Sequence, residues 1–472
     1  MASVKVNFAY SALNNVLRVL FPLITAPYVT RVLAPDDLGL YAFGFSNATY
    51  FALFAALGIP YYGAREIAKV KHDTAQTNEL FSELFTIAVM ATLLMTVTYL
   101  FCIFGIEQYR QNYSFFLLVG LVLYCSPLNI DWFYEGIENF KVITIRSVVI
   151  RILSIIMLFV LVRTKDDLYW YAIITVSTIL LSDLWNFVML LKSGYSVRLK
   201  LTGLRRHIKP LMLLFVSTIA VSIYTMLDKV MLGLLAPYQQ VAYYHYAMEI
   251  SKMLLTVITS LSVVALPRIS SYIESRETEK IEQLIRKSCS LVVFLSVPIC
   301  AGIILIAPVG LPLFLGNHYV ASVLPLQILS LLLILIGLNN IFAIQCLVAF
   351  GFDKLFLYSI LTGAASNFLL NLFMIPYWGA VGASVASVVA EFLVLIVAFC
   401  FVRQKIKIRL HIHRQFVKTL LTTMLFLPIN YGLSCWFSGW ALLISFIVIS
   451  ALVYLTIQYY NHEVCIFNSR TW

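Results

Sequence analysis

The 472 residues are 61% hydrophobic and only 12% charged, with a mean hydropathy of +0.91, whereas a soluble domain is about half apolar and about a quarter charged. That composition excludes a soluble globular protein, because the surplus apolar surface needs lipid to face. A net charge of +11 would suggest nucleic acid in a soluble chain, but the basic residues here lie in short segments between apolar runs, where they set membrane orientation, and no nucleic-acid partner is expected.

The first apolar run is long, carries Arg18 and lacks a small-x-small cleavage site, so it reads as a retained span rather than a signal peptide. A span takes roughly 20 apolar residues. On that rule the candidate spans fall at 8–29, 38–59, 80–104, 113–133, 146–163, 168–190, 210–235, 239–265, 287–309, 321–349, 356–376, 380–402, 416–434 and 437–459. Runs this long close their backbone hydrogen bonds within themselves and lack the alternation of a barrel. The expected fold is therefore all-α and integral to the membrane, with about 14 transmembrane helices. With the N-terminus inside, 25 of the 33 Lys and Arg fall in inner segments and 4 in outer loops, which places both termini in the cytoplasm. The 8 cysteines are scattered without a Cys-x-x-Cys pair, so neither a disulfide framework nor a zinc site is expected.

The chain echoes itself. Leu33-Ala34-Pro35 followed by Tyr41 recurs as Leu235-Ala236-Pro237 followed by Tyr243, and Gly136-Ile137-Glu138-Asn139-Phe140 matches Gly351-Phe352-Asp353-Lys354-Leu355 in character. Two six-helix lobes follow, 1–200 (spans 1–6) and 201–402 (spans 7–12), with spans 13 and 14 and a tail in 403–472. An even number of spans per lobe keeps both copies in one orientation, the parallel repeat of transporters that rock two halves about a central site.

An ionisable group at the bilayer centre costs about 2.5–3.5 kcal/mol on insertion scales, so each one should face protein or a watery cavity. In span 1, Ser11, Asn14, Arg18 and Thr25 share one helical stripe, which either lines a cavity or lets Arg18 snorkel to the interface. Ser147, Arg151 and Ser154 repeat the pattern in span 5. Glu249 and Lys252 are i,i+3 neighbours, able to pair or to respond to an ion. Asp228 and Lys229 are adjacent and project about 100° apart, so an interlobe partner is expected rather than an intrahelical pair, with one of the two facing the cavity. Asp183 lies near Ser182 and Asn186, the row Gly363, Asn367, Asn371 suits interhelical packing, and Glu391 has no partner nearby in sequence. The candidate translocation residues are Arg18, Arg151, Asn14, Lys229 and Lys252. The ion-coupling candidates are Asp228, Glu249 and Asp183. Pro22, Pro27, Pro127, Pro298 and Pro325 fall in or near spans and can kink them. No G-x-x-x-x-G-K-[ST] loop occurs, and no His-Glu-x-x-His motif or clustered carboxylate pair marks a catalytic centre, so neither an ATP-driven pump nor an enzyme is expected.

Four stretches carry a family resemblance: Leu33 to Lys69, Ile130 to Val160 with its Asp-Trp-Phe-Tyr-Glu-Gly segment, Tyr224 to Gly233 running on to Pro267-Arg268, and Ile341 to Glu391 with Ile-Pro-x-x-Gly-Ala-x-Gly-Ala. Together they resemble the Wzx-type polysaccharide flippases of the multidrug/oligosaccharidyl-lipid/polysaccharide exporter superfamily. The resemblance implies transport of an undecaprenyl-diphosphate-linked repeat unit to the outer leaflet of the bacterial cytoplasmic membrane, for capsule or O-antigen. It also implies a cationic cavity, no bound cofactor, H+ or Na+ coupling or use of the membrane potential, and a polymerase and glycosyltransferases as partners. A lumen arginine would hold the diphosphate by charge-assisted bonds. The rival readings are a peptidoglycan-precursor (lipid II) flippase, an ion-coupled exporter of small drugs, and a membrane scaffold that transports nothing.

Overall fold

The computed structural model describes residues 4–406 and 413–460, and within them the side chains other than those of 4–9, 11–12, 14–15, 18–19, 216–225, 260–264, 267 and 413–414. Every regular element among the described residues is a helix. The chain divides into two compact units, Met1–Leu234 and Leu235–Trp472.

The first unit contains α1 (Val4–Val32), α2 (Pro35–Ala56), α3 (Ile59–Val70), α4 (Thr74–Gly105), the short α5 (Glu107–Arg110), α6 (Tyr113–Val119), α7 (Leu121–Tyr124), α8 (Asp131–Gly136), α9 (Phe140–Leu161), α10 (Leu168–Lys192) and nearly all of α11 (Arg205–Leu235). The repeat reading places α11 at the head of the second lobe, whereas its contacts group it with the first unit. Pro35 opens α2, where its missing N–H costs nothing, and Asp36 and Asp37 sit at the positive end of the helix. Asp73 caps α4 by accepting from the backbone N–H groups of Ala75 (2.9 Å) and Gln76 (3.1 Å). The fourth span is broken: α6 and α7 give way to a 3-10 turn at Ser126–Leu128 containing Pro127, and α8 restarts the helix at Asp131. Beside the break lies the core of this unit. Trp132 and Phe81 stack at 5.4 Å, Phe133 meets Phe81 edge-on, and Trp132 lies directly on Gly63 of α3, where any Cβ would clash with the indole ring.

The second unit contains α12 (Tyr238–Glu274), α13 (Thr278–Leu315), α14 (Val323–Leu329), α15 (Leu332–Asn339) continuing into a π-helical stretch over Asn340–Val348, α16 (Asp353–Lys405), α17 (His413–Thr423), α18 (Phe426–Ser434) and α19 (Gly439–Tyr460). Its core joins Ile258 of α12, Ile285 and Val292 of α13, Leu333 of α15 and Ile341 and Cys346 of the π-helical stretch. The last helices dock through a separate cluster of Phe426, Phe446 and Tyr454 on Leu291 and Phe294, with the Tyr454 hydroxyl donating to the Phe294 carbonyl at 2.8 Å.

A helix or helix series occupies each of the fourteen expected spans. Among the described residues, 9 helices are long and apolar enough to cross a membrane, or 10 if α2 and α3, bent by 41°, count together. Apolar side chains face outward along them, as with Val97 and Phe101 of α4, 67% and 77% exposed, which suits lipid rather than water. The protein is a multi-pass membrane protein.

At 53 residues, α16 would extend about 80 Å as one rod, far beyond the roughly 30 Å hydrocarbon core. It serves as two spans, broken at Gly379 with φ 50° and ψ −125°, a conformation that a Cβ disfavours. Gln240 of α12 fills the space a Cβ would need and accepts from the Ala380 N–H at 3.0 Å. Gly379→Ala is therefore expected to destabilise the purified protein by about 1–3 kcal/mol, read as a lowered thermal midpoint in detergent.

Candidate functional site

Within the first unit, the break in the fourth span creates a polar site. Chain unwound by Pro127 turns Asp131 toward α9 and α10. Arg146 of α9, 5% exposed, grips the Asp131 carboxylate with both terminal nitrogens, Nη1 to Oδ1 at 2.7 Å and Nη2 to Oδ2 at 3.3 Å. Asn186 of α10 donates its Nδ2 to the same Oδ1 at 2.5 Å, and the Tyr134 hydroxyl donates to the Asn186 carbonyl at 2.7 Å. A fork-to-carboxylate contact of this kind is charge-assisted and fixes direction as well as distance. Asp183, 5% exposed and one turn from Asn186, lies within electrostatic range of both Asp131 and Arg146. The site thus sets two carboxyl groups against one guanidinium, whose buried Nε has no hydrogen-bond partner among the described residues.

In the second unit, Glu391 of α16, 6% exposed, accepts from Asn339 Nδ2 at 2.5 Å, and the same amide donates to the Glu391 carbonyl at 3.2 Å. Asn339 ends α15 where the chain widens into the π-helical stretch, a distortion that often marks functional positions in helices. Asn371 donates to Asn367 at 3.1 Å within α16, so that row ties one helical turn to the next.

The candidates from sequence are distributed as follows. Arg18 and Asn14 lie on α1, and their side chains are outside the described residues. Arg151 is half-buried on α9 and makes polar interactions. Asp228 is buried and Lys229 half-buried on α11, each with polar interactions of its own. Lys252 Nζ stands 3.9 Å from Glu249 Oε1, the i,i+3 pair the spacing allows. Asp183 alone of these belongs to the Asp131–Arg146 cluster. Arg146 escaped sequence reading because it begins the fifth candidate span and counts there as an interfacial charge, and Asp131 because it sits among aromatic residues at the end of the fourth. The available signal was the Pro127-to-Asp131 interruption of an otherwise apolar run.

Outside the spans, surface carboxylates including Asp167 and Glu138 are held below the usual range by local donors. For Asp167 these are the backbone N–H groups of Arg163 and Thr164, and for Glu138 the Lys71 ammonium.

Comparison with known proteins decides the family. The polysaccharide biosynthesis protein family matches residues 4–273, more than half of the chain. The chain belongs to that family. MatE, a second family, matches residues 214–373, and together the two place this polysaccharide biosynthesis protein in the Wzx-type branch of the multidrug/oligosaccharidyl-lipid/polysaccharide exporter superfamily. It is 25% identical over 413 residues, 85% of this chain and 97% of the other, to a protein of Escherichia coli (strain K12) named as an O-antigen transporter. It is 21% identical, over 84% of this chain and 99% of the other, to the capsular polysaccharide biosynthesis protein CapF of Staphylococcus aureus. Among solved structures, the lipid II flippase MurJ in an inward closed conformation superposes with a TM-score of 0.77 at 17% identity, over 97% of this chain and 99% of the other. An inward-facing multidrug resistance MATE family transporter gives 0.66 at 15% identity, over 85% and 98%. At such identities the structural matches establish a shared fold alone.

For this family member, removing one partner of the part-buried pair is the informative change. Arg146→Met leaves the part-buried Asp131 without its cation and is expected to cost about 1–3 kcal/mol of stability, whereas the double change Arg146→Met with Asp131→Leu should recover most of it. Denaturation of the four proteins of this cycle in detergent measures the coupling.

Proposed function

We propose that this protein is a flippase that carries undecaprenyl-diphosphate-linked oligosaccharide repeat units from the inner to the outer leaflet of the bacterial cytoplasmic membrane, for capsule or O-antigen synthesis. The observation that carries the reading is the family match over residues 4–273, and the relatives named for O-antigen transport and capsular polysaccharide add weight to it. The Lys and Arg distribution supports cytoplasmic termini. We assign the two repeat lobes, 1–200 and 201–402, to alternating access without enzymatic chemistry.

The chemistry of the cargo suits the cationic candidates. A diphosphate head carries about two negative charges, which guanidinium groups bind by paired hydrogen bonds. Its outward movement is favoured by an inside-negative potential, by up to about 4.6 kcal/mol per 100 mV for two charges crossing the whole field. Arg18 and Arg151, with Asn14, Lys229 and Lys252, are the proposed translocation residues. Asp183, sharing one guanidinium with Asp131, is the proposed proton-responsive group, with Asp228 and Glu249 as further candidates. A polymerase and glycosyltransferases would act on the same lipid-linked chain.

The test is complementation. In cells lacking their own O-antigen flippase, the wild-type chain should restore surface polymer, and Arg18→Ala should abolish it at an unchanged level of membrane-inserted protein. Normal polymer in that variant removes Arg18 from the pathway. Rescue of cells depleted of their lipid II flippase, without any polymer, would replace this function with peptidoglycan-precursor transport.

A further inference from the structure

The segment joining α10 to α11 is strapped onto the first unit. Its alternate backbone N–H groups donate to successive turns of α4: Ser196 to Asn78 Oδ1 (3.1 Å), Arg198 to Ser82 Oγ (3.2 Å) and Lys200 to Thr86 Oγ1 (2.9 Å). The match has a geometric basis. Two residues of extended chain advance about 6.6 Å, and four residues of helix advance about 6.0 Å, so an i,i+4 row of short polar side chains on a helix can serve every second residue of a strap.

Glu83, on the same helix and 1% exposed, closes the arrangement. Its Oε2 accepts from Arg206 Nη2 at 2.5 Å and Nε at 3.1 Å and stands 2.8 Å from His207 Nε2, while its Oε1 accepts from Lys200 Nζ at 3.1 Å. Lys200 also pairs with Glu79, and these carboxylates hold its ammonium above the usual range. The far side of the buried His207 ring, Nδ1, meets the Tyr62 hydroxyl of α3 at 2.8 Å. Gly203 turns the chain into α11 with φ +83°, and a Cβ there would run into Glu83 Oε1. One carboxylate therefore joins α3, α4, the strap and the first turn of α11.

Two packing contacts extend the attachment along α11. A Cβ on Gly58 would lie 3.0–3.3 Å from the backbone of Leu211 and Phe215, and one on Gly233 would overlap the Phe43 ring. Both ends of α11 thus press on α2 and the turn that follows it.

We propose that Glu83 is a positioning residue for transport: it latches the strap and the head of α11 onto α3 and α4, and transport depends on that attachment. The functional half of this proposal rests on the flippase reading, and the structural half does not.

The full-length chain carrying Asn78→Cys and Ser196→Cys, in native membranes, reports the latch through cross-linking by a short bismaleimide, with each single-cysteine variant as control for the native thiols. Cross-linking should be near complete with Glu83 intact and fall about tenfold in Glu83→Gln, where the basic partners lose their counter-charge. Surface polymer should fall by a similar factor at equal membrane levels and return when the two introduced thiols are joined by oxidation, a rescue that a misfolded protein would not allow. Gly203→Val, which displaces the carboxylate without removing it, should reproduce both losses. Undiminished cross-linking in Glu83→Gln overturns the latch. Lost cross-linking with wild-type polymer export overturns its role in transport. Absence of export by the wild-type chain defeats the flippase reading instead, and the latch is then judged by cross-linking alone.

Discussion

A carboxylate inside a helical membrane protein has neither water nor mobile counter-ions to solvate it, so each one must be met by donors that other helices bring to bonding distance. Two such groups organise the first unit. Asp131 draws α9 and α10 to the break in the fourth span through Arg146 and Asn186, and Glu83 draws the linker and the head of α11 onto α4. In the second unit Glu391 is held by Asn339, at the point where the helix of the tenth span widens. Helices whose apolar faces are nearly interchangeable are thereby given fixed partners and a fixed register, which lipid-facing leucines and phenylalanines do not specify.

The interruptions of the helices belong to the same logic. Backbone polar groups at membrane depth are tolerated outside a helix only where protein satisfies them. The unwound turn at Ser126–Leu128 is lined by Thr92, whose hydroxyl meets that of Ser126 at 3.0 Å. The turn at Gly379 is closed by the Gln240 side chain. Each break thus recruits a specific neighbour, and Asp131 lies beside the first of them.

Membership of the polysaccharide biosynthesis family gives these features a setting. Within the first unit, the Asp131 and Glu83 clusters tie neighbouring helices to one another through side-chain bonds. Asp183 lies within electrostatic range of the Asp131–Arg146 pair, so this cluster sets two carboxyl groups near one guanidinium.

The many apolar helices, the all-helical fold and the family were legible in the chain itself, because hydropathy over roughly 20 residues is a local property and a long apolar run without alternation can satisfy its backbone in lipid only as a helix. The i,i+3 pair of Glu249 and Lys252 was legible for the same reason, since helical geometry alone brings the two side chains near one another. The partners of Asp131, Glu83 and Glu391 were not. They lie 15 and 55 positions from Asp131, about 120 from Glu83 and 52 from Glu391, and nothing in the spacing of residues on one helix states which face of another helix will meet it. Tertiary packing alone decided those pairings, because a hydrogen bond depends on a separation of about 3 Å between side chains whose helices were set side by side by the whole of the surrounding core.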